Sequence, residues 1–203
     1  MTLDDRTRAR PGEFAPEIAA TQAFLGPLRG RTLLDLGCAD PGIARIAARG
    51  GVRGYHGLAP AGQLPAASAA AAPGTVELFD PDRWSGRGSA RYELVAAARI
   101  LQHVRNLARL LETLHHLVSP GGRLVFSVDH PFARAGNYFD EDEDAGAPAW
   151  CGLPRRHRTF SGYVRELSYC GFRVVELAEG VRAGDDPSSG TPRWTVFRCV
   201  RTP

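Results

Sequence analysis

Short apolar runs alternate with amphipathic stretches along most of this chain. RTLLDLG (31–37), VRGYHGL (52–58), TVELF (75–79), YELVAAA (92–98), RLVFSV (123–128), GFRVVEL (171–177) and RWTVFRCV (193–200) are all of strand length. Runs this short, rich in β-branched and aromatic residues and bounded by glycine or proline, read as strands. Between them the spacing turns helical. Phe14, Ile18, Phe24, Leu25 and Leu28 predict a helix over 14–28, closed by Gly26 and Pro27. GIARIAAR (42–49) predicts a second, closed by Gly50 and Gly51, and the alanine-rich run 61–72 predicts a short surface helix. Leu107, Leu110, Leu111, Leu114 and Val118 share one face of a helix over 105–118, and 159–170 reads as the last helix.

This alternation predicts an α/β fold: a doubly wound, mostly parallel seven-stranded sheet with helices on both faces. The last two strands have no helix between them and are expected to pair antiparallel at one edge. No repeat or internal boundary is visible. The expected organisation is a flexible arm over 1–13 and a single domain over 14–203. The connection 129–158 is long for a compact domain and reads as a lid, and 133–158, with its acids and glycines and few aliphatic residues, is expected to have low local stability.

Composition narrows the chemistry. The 203 residues, 43% hydrophobic, suffice for one sizeable core. The net charge is +3, which gives little footing for nucleic acid. All 25 basic residues are arginine. A chain without lysine has no Schiff-base residue, no P-loop lysine and no kinase lysine. Cys38, Cys151, Cys170 and Cys199 form no C-x-x-C pair, so a zinc ribbon or redox dithiol is not expected. Charged residues precede any apolar run at the start, and no stretch is long and apolar enough to span a bilayer. The expectation is a cytoplasmic protein with reduced thiols that binds no membrane.

Ligands of open α/β sheets bind beyond the carboxyl ends of the strands. Strand one ends in the glycine-bearing segment Asp35-Leu36-Gly37-Cys38-Ala39-Asp40-Pro41-Gly42, a turn that allows close backbone approach. The order LLDLGCADPG, YELVAAARILQHV, LHHLVSPGGRLVFSVDHPF resembles the class I S-adenosylmethionine-dependent methyltransferases of small-molecule type, similar to the ubiquinone-biosynthesis-like members. The resemblance covers about residues 31–200. It implies a Rossmann-like methyltransferase fold and S-adenosylmethionine as cofactor. It places Asp35, Gly37, Cys38, Ala39 and Gly42 in the cofactor loop, Leu58 and Ala59 beside the ribose, Asp80 at the adenine, and Ala98 and Arg99 along the methionine part.

The loop is degenerate. Ala39 and Pro41 stand where the family has glycines, and Ala59 stands where the family has the carboxylate that grips the ribose. Losing that carboxylate is expected to cost about 1.5–3 kcal/mol, so binding is weakened, with His56 or Gln63 as substitute contacts.

Catalysis needs a base for a hydroxyl, phenol or amine proton, and imidazole suits it. His130 follows strand five, with Asp129 beside it as a possible orienting neighbour. His157 precedes the last helix and can fold over the same pocket, and the resemblance puts His103 near the cofactor. His115 and His116 read as surface or packing residues. The acidic run Asp140–Asp144 lacks the spacing of a calcium loop, so no metal is expected. Arg155, Arg156 and Arg158 have two readings, holding a substrate carboxylate or phosphate, or pairing with that acidic run. Phe132, Tyr138, Phe139 and Trp150 give the lid an aromatic lining suited to an apolar or aromatic small molecule. The expected function is methyl transfer to an O, N or C nucleophile of a small molecule in specialised metabolism. The alternatives are a cyclase or isomerase that does not methylate, and a non-catalytic partner subunit.

Overall fold

The computed structural model describes residues 15–38, 41–60, 74–86, 91–133, 138–139, 153–186, 188 and 190–203. The expected arm and the alanine-rich helix at 61–72 lie outside them. The elements are α1 (Ala15–Leu25), β1 (Thr32–Leu36), α2 (Gly42–Gly50), β2 (Gly54–Ala59), β3 (Thr75–Leu78), β4 (Tyr92–Ala98), α3 (Leu107–Leu117), β5 (Val118–Asp129), α4 (Phe160–Tyr169), β6 (Phe172–Gly180) and β7 (Trp194–Arg201). The seven strands form one sheet in the order β3-β2-β1-β4-β5-β7-β6. The first five run parallel, and β7 pairs antiparallel with both β5 and β6. This is the predicted doubly wound sheet, with the hairpin at the edge.

Two apolar layers bury the sheet. On one face Phe24 and Leu25 of α1 and Ile43, Ala44 and Ala47 of α2 pack on Leu33, Leu94, Val125 and Val196. On the other, the leucine stripe of α3 and Tyr163 and Leu167 of α4 cover Leu34, Val95, Phe126 and Phe197. Each fully buried leucine contributes roughly 1.5–3 kcal/mol before entropy is charged against it. The helix ends follow local chemistry. Gly51 closes α2 at φ 66°, the Asn106 side chain accepts from the Arg109 N–H, and the Thr159 hydroxyl accepts from the Gly162 N–H.

Two boundaries differ from expectation. Val118 opens β5 instead of closing α3, and the Pro120-Gly121-Gly122 turn lies inside that strand. The ladder passes from Tyr92↔Val118 to Leu94↔Arg123, so the turn is absorbed as a bulge around Gly121 at φ 70°. The expected lid also begins and ends in ordered chain. Asp129 is the last residue of β5, a tight 3-10 turn follows at Pro131–Ala133, and residues 153–158 form a strap over the 3-10 turn Leu101–His103. In that strap the Arg156 N–H donates to the Gln102 carbonyl at 2.7 Å, and the Arg158 guanidinium donates to the carbonyls of Leu101 and Val104. Among the described residues, no helix is long and apolar enough to cross a membrane.

Candidate active site

The strand order reverses between β1 and β4, which opens a crevice at their carboxyl ends. Both strands leave the sheet through a left-handed residue, Gly37 at φ 74° and Arg99 at φ 57°. At Gly37 a Cβ would lie 2.8 Å from the Ile100 Cβ, so glycine is required there twice over. The N–H groups of Gly37 and Cys38 both donate to the Leu58 carbonyl, at 2.7 and 3.0 Å, and tie the turn to β2. Arg99 is not glycine, and its conformation costs about 1–2 kcal/mol. Its N–H compensates by donating to the Ser127 carbonyl at 3.0 Å and hydroxyl at 3.2 Å.

On the β1–β2 side of the crevice the described residues are mostly buried. Asp35 is buried and accepts the Tyr55 hydroxyl at 2.7 Å. Burial and the Asp35 charge push the Cys38 thiol up to about 12, so it stays protonated, and the same causes raise the Tyr55 hydroxyl. Ala59 is fully buried against Cys38 and Val76. Asp80 is exposed beyond β3, where it accepts the Asp82 N–H at 3.0 Å and lies 3.6 Å from Arg83. Gly42 opens α2 behind Pro41, which gives that helix no side-chain cap. Of the substitute ribose contacts, His56 is bonded to the Tyr92 hydroxyl at 2.7 Å. Ala39 and Gln63 lie outside the described residues.

At the positions that the resemblance gives to S-adenosylmethionine stand a glycine turn, the first turn of α2 and the Asp80 carboxylate, chemistry that fits the group. At the position that the resemblance gives to the ribose carboxylate, Ala59 offers a methyl.

The β4–β5 side is densely charged. Asp129 ends β5 and accepts from Arg99 and Arg182 at Oδ1 and from Gln102 and Arg155 at Oδ2. Burial pushes its carboxyl up, but Arg99, Arg155 and Arg182 outweigh burial and hold it below the usual carboxylate range. A carboxylate bound in this way is no proton acceptor. The other terminal nitrogen of Arg99 reaches Glu17 of α1 at 3.3 Å. Leu25, at the far end of α1, accepts Arg123 from the start of the β5 core run. The helix therefore runs antiparallel to the parallel strands, and its first turn arrives at the crevice. Glu17 is fully buried, and burial raises its pKa against the pull of Arg99.

The three expected histidines do not share one role. His130 is buried between the rings of Phe132 and Phe160. Its Nδ1 accepts the Phe132 N–H at 3.2 Å, and its Nε2 donates to Glu179 at 2.7 Å, so protein groups occupy both nitrogens. Asp129 faces the arginines, away from it, as neighbours on an extended strand do. His157 donates from Nε2 to the Tyr138 carbonyl at 2.8 Å. His103 donates from Nδ1 to the carbonyls of Leu153 and Pro154 at 3.2 and 3.3 Å, which puts its lone pair on Nε2, where it accepts the Gln102 side-chain amide at a long 3.4 Å. Burial lowers its pKa against the pull of those carbonyls, so the neutral form is favoured. His115 stacks edge-on against Phe172, a packing role.

The structure therefore joins Arg99, His103 and Asp129 into one cluster and sets His130 and His157 among the rings beside it. Glu17, Gln102, Glu179 and Arg182 were not foreseen. Asp129 was noticed only as a neighbour of His130. An acid next to a strand end is a usable signal for it, but nothing in the helix pattern marks Glu17 as buried.

No curated protein matches the chain. Among solved structures it resembles an S-adenosylmethionine dependent methyltransferase from Mesorhizobium loti, with a TM-score of 0.75, 25% identity, and coverage of 90% of this chain and 96% of that one. N-methyltransferase NodS from Bradyrhizobium japonicum WM9 has the same fold, with a TM-score of 0.68, 14% identity, and coverage of 99% and 100%. So has the [4+2]-cyclase SpnF, with a TM-score of 0.69, 14% identity, and coverage of 95% and 84%. The family of methyltransferase domains matches residues 7–177, from before α1 into β6. With the reversal of strand order at β1 and β4 and the glycine turn that opens there, this match makes the chain a member of the methyltransferase domain family, with the fold of the class I S-adenosylmethionine-dependent enzymes.

Proposed function

We propose that the protein transfers a methyl group from S-adenosylmethionine to an O, N or C nucleophile of a small molecule in specialised metabolism. One observation carries this reading: the two left-handed residues, Gly37 and Arg99, stand on either side of the point where strand order reverses. Such turns swing the chain away from the strand ends and leave the crevice to a ligand. In this reading Gly37, Cys38 and Gly42 line the loop, Leu58 and Ala59 flank the ribose, Asp80 meets the adenine, and Ala98 and Arg99 flank the methionine part. The cofactor supplies an electrophilic methyl on a sulfonium, so the chain needs mainly to align the acceptor and remove its proton. We assign the base to His103. Its tautomer is fixed by two carbonyls, its Nε2 lone pair meets the Gln102 amide at a long 3.4 Å against the 2.7 Å bond at the His130 Nε2, and burial keeps it neutral. His130 and His157 shape the aromatic wall.

Ala59 favours a second reading, in which the fold is kept and methyl transfer is lost to cyclase or isomerase chemistry. Calorimetric titration with S-adenosylhomocysteine separates the two. Binding that tightens in Ala59→Asp supports methyl transfer, whereas no heat at millimolar ligand in either protein removes it.

A further inference from the structure

The side-chain amide of Gln102 is buried and locked in one orientation. Its oxygen accepts the Asp129 backbone N–H at 2.6 Å, and its nitrogen donates to Asp129 Oδ2 at 3.1 Å. Chemistry decides which end of the amide is which. A backbone N–H can only donate and an ionised carboxylate can only accept, so the oxygen faces the first and the nitrogen the second. The second amide hydrogen is left for His103 Nε2, 3.4 Å away. The Gln102 backbone is tied as well, since its carbonyl accepts the Arg156 N–H of the strap at 2.7 Å.

The imidazole is held from its other side. Nδ1 donates to the Leu153 and Pro154 carbonyls, which leaves Nε2 as the atom that can take a proton. Neutral imidazole accepts the Gln102 amide there. Imidazolium cannot, because its Nε2–H would meet an amide N–H, two donors with no acceptor between them. The amide cannot turn to offer its oxygen, since both of its ends are committed to Asp129. The contact thus favours the unprotonated ring, and at 3.4 Å it is long enough to be given up readily to a better donor. Among the described residues, Asp129 and Arg155 are charged groups that act on the ring, and they act in opposite senses, the carboxylate favouring imidazolium and the guanidinium opposing it.

We infer that Gln102 is the positioning residue of the base: locked by Asp129, its amide aims a donor at His103 Nε2, holds the ring unprotonated until an acceptor's O–H or N–H takes the amide's place, and makes the ring shed a proton once it has gained one. This rests on the methyl-transfer reading above, in that it gives that reaction's base its partner. The charged cluster at Asp129 then acts on the base through a neutral amide, and a neutral amide can neither take the proton nor compete for it.

Titration of the His103 ring followed by NMR tests it, with the His103→Ala spectrum assigning the signals. Gln102→Met keeps the length and burial of the side chain and removes the amide. Its His103 midpoint is expected to rise by roughly half to one pH unit, the worth of one neutral hydrogen bond. The Nδ1–H proton should stay in slow exchange, because the strap carbonyls still hold it. A midpoint that stays or falls overturns the inference. So does a rise with fast Nδ1–H exchange, which would make Gln102 a support of the strap alone. If Gln102→Met fails to fold, the wild type decides: its Gln102 side-chain amide protons should shift with the His103 midpoint, and amide protons that do not move with it overturn the inference. Calorimetric titration of the same wild-type sample with S-adenosylhomocysteine keeps the two failures apart. Heat together with an unmoved His103 midpoint overturns the role of Gln102 alone, while a moved midpoint without heat at millimolar ligand keeps that contact and overturns methyl transfer.

Discussion

The two walls of the crevice are built on different physical terms. Along the β1–β2 wall the described residues are mostly buried and paired with one another. Asp35 is held by Tyr55, Cys38 is a buried thiol, and Ala59 shows no polar atom to a ligand. The β4–β5 wall is polar and partly open. Asp129 carries three arginines and Gln102, with His103 next to them. Backbone turns, which tolerate side-chain drift, dominate the first wall. Side-chain charge, which does not, dominates the second. Discrimination between substrates is thus expected to come from the second wall, and weak cofactor affinity from the first.

The comparison breaks most sharply at the base. His103→Ala should lower turnover by about 100- to 10,000-fold with little change in cofactor affinity. His130→Ala should leave turnover within a few-fold. It should instead destabilise the fold by about 1–3 kcal/mol, because the buried ring leaves a gap between Phe132 and Phe160 and its bonds to Glu179 and the Phe132 N–H are lost. Steady-state kinetics and denaturant unfolding of the two variants decide the assignment. If His130→Ala loses turnover and His103→Ala does not, the roles are reversed and the aromatic wall is the catalytic one.

Asp129→Ala tests how far the second wall is held by charge. Removing one partner of a fully buried ion pair costs about 3–5 kcal/mol. The arginines here are partly exposed, and solvent screening lowers the expected loss to about 2–3 kcal/mol. Urea denaturation should register it, with amide exchange quickening over 153–158 as Arg155 loses its anchor. Unchanged stability would mean that the arginines find other anions as readily.

Most of the scaffold was legible, because strands β1, β4 and β7 are apolar on both faces and α3 carries a clean leucine stripe. These patterns depend on local period alone. The β5 boundary was not, because Pro120-Gly121-Gly122 has the residues of a turn whether it ends a ladder or bulges within it. The site was legible in its glycine turn and in the residues at the strand ends. Its hydrogen bonding was not. His130 and Asp129 are adjacent in sequence yet point to opposite faces, and their partners Glu179 and Arg182 sit some 50 residues away. The strap falls within 133–158, a stretch expected to be of low local stability because acids and glycines abound there and aliphatic residues are few. Its bonds to the carbonyls of Leu101, Gln102 and Val104 are ones that no sequence pattern encodes.

The first wall can be sharpened by restoring what it lacks. Ala59→Asp should tighten S-adenosylhomocysteine by roughly 10- to 150-fold, the equivalent of about 1.5–3 kcal/mol. The gain is offset in part by burying a carboxylate against Cys38 and Val76 in the free protein. The variant should therefore melt lower alone and recover when ligand is added.

The smallest effect concerns Glu17, which shares Arg99 with Asp129 and is shifted the opposite way. Burial raises the Glu17 carboxyl above its ordinary 4.5, so the native state holds its proton more tightly than the unfolded chain does. Between 4.5 and the raised value the unfolded state binds fewer protons, and stability falls as pH rises through that window. A neutral amide in place of this carboxyl imitates its protonated form without the penalty. Glu17→Gln should thus match wild type in acid and become more stable than it as pH rises above 4.5, until Glu17 is fully ionised in both states. Asp129→Asn should behave in the opposite sense. The arginines hold Asp129 low, so its contribution is present above the ordinary carboxylate value and is lost as pH falls through the depressed one. Melting curves of both variants across this acid range check the signs together. A Glu17→Gln variant less stable than wild type at neutral pH would mean that its pairing with Arg99 outweighs its burial.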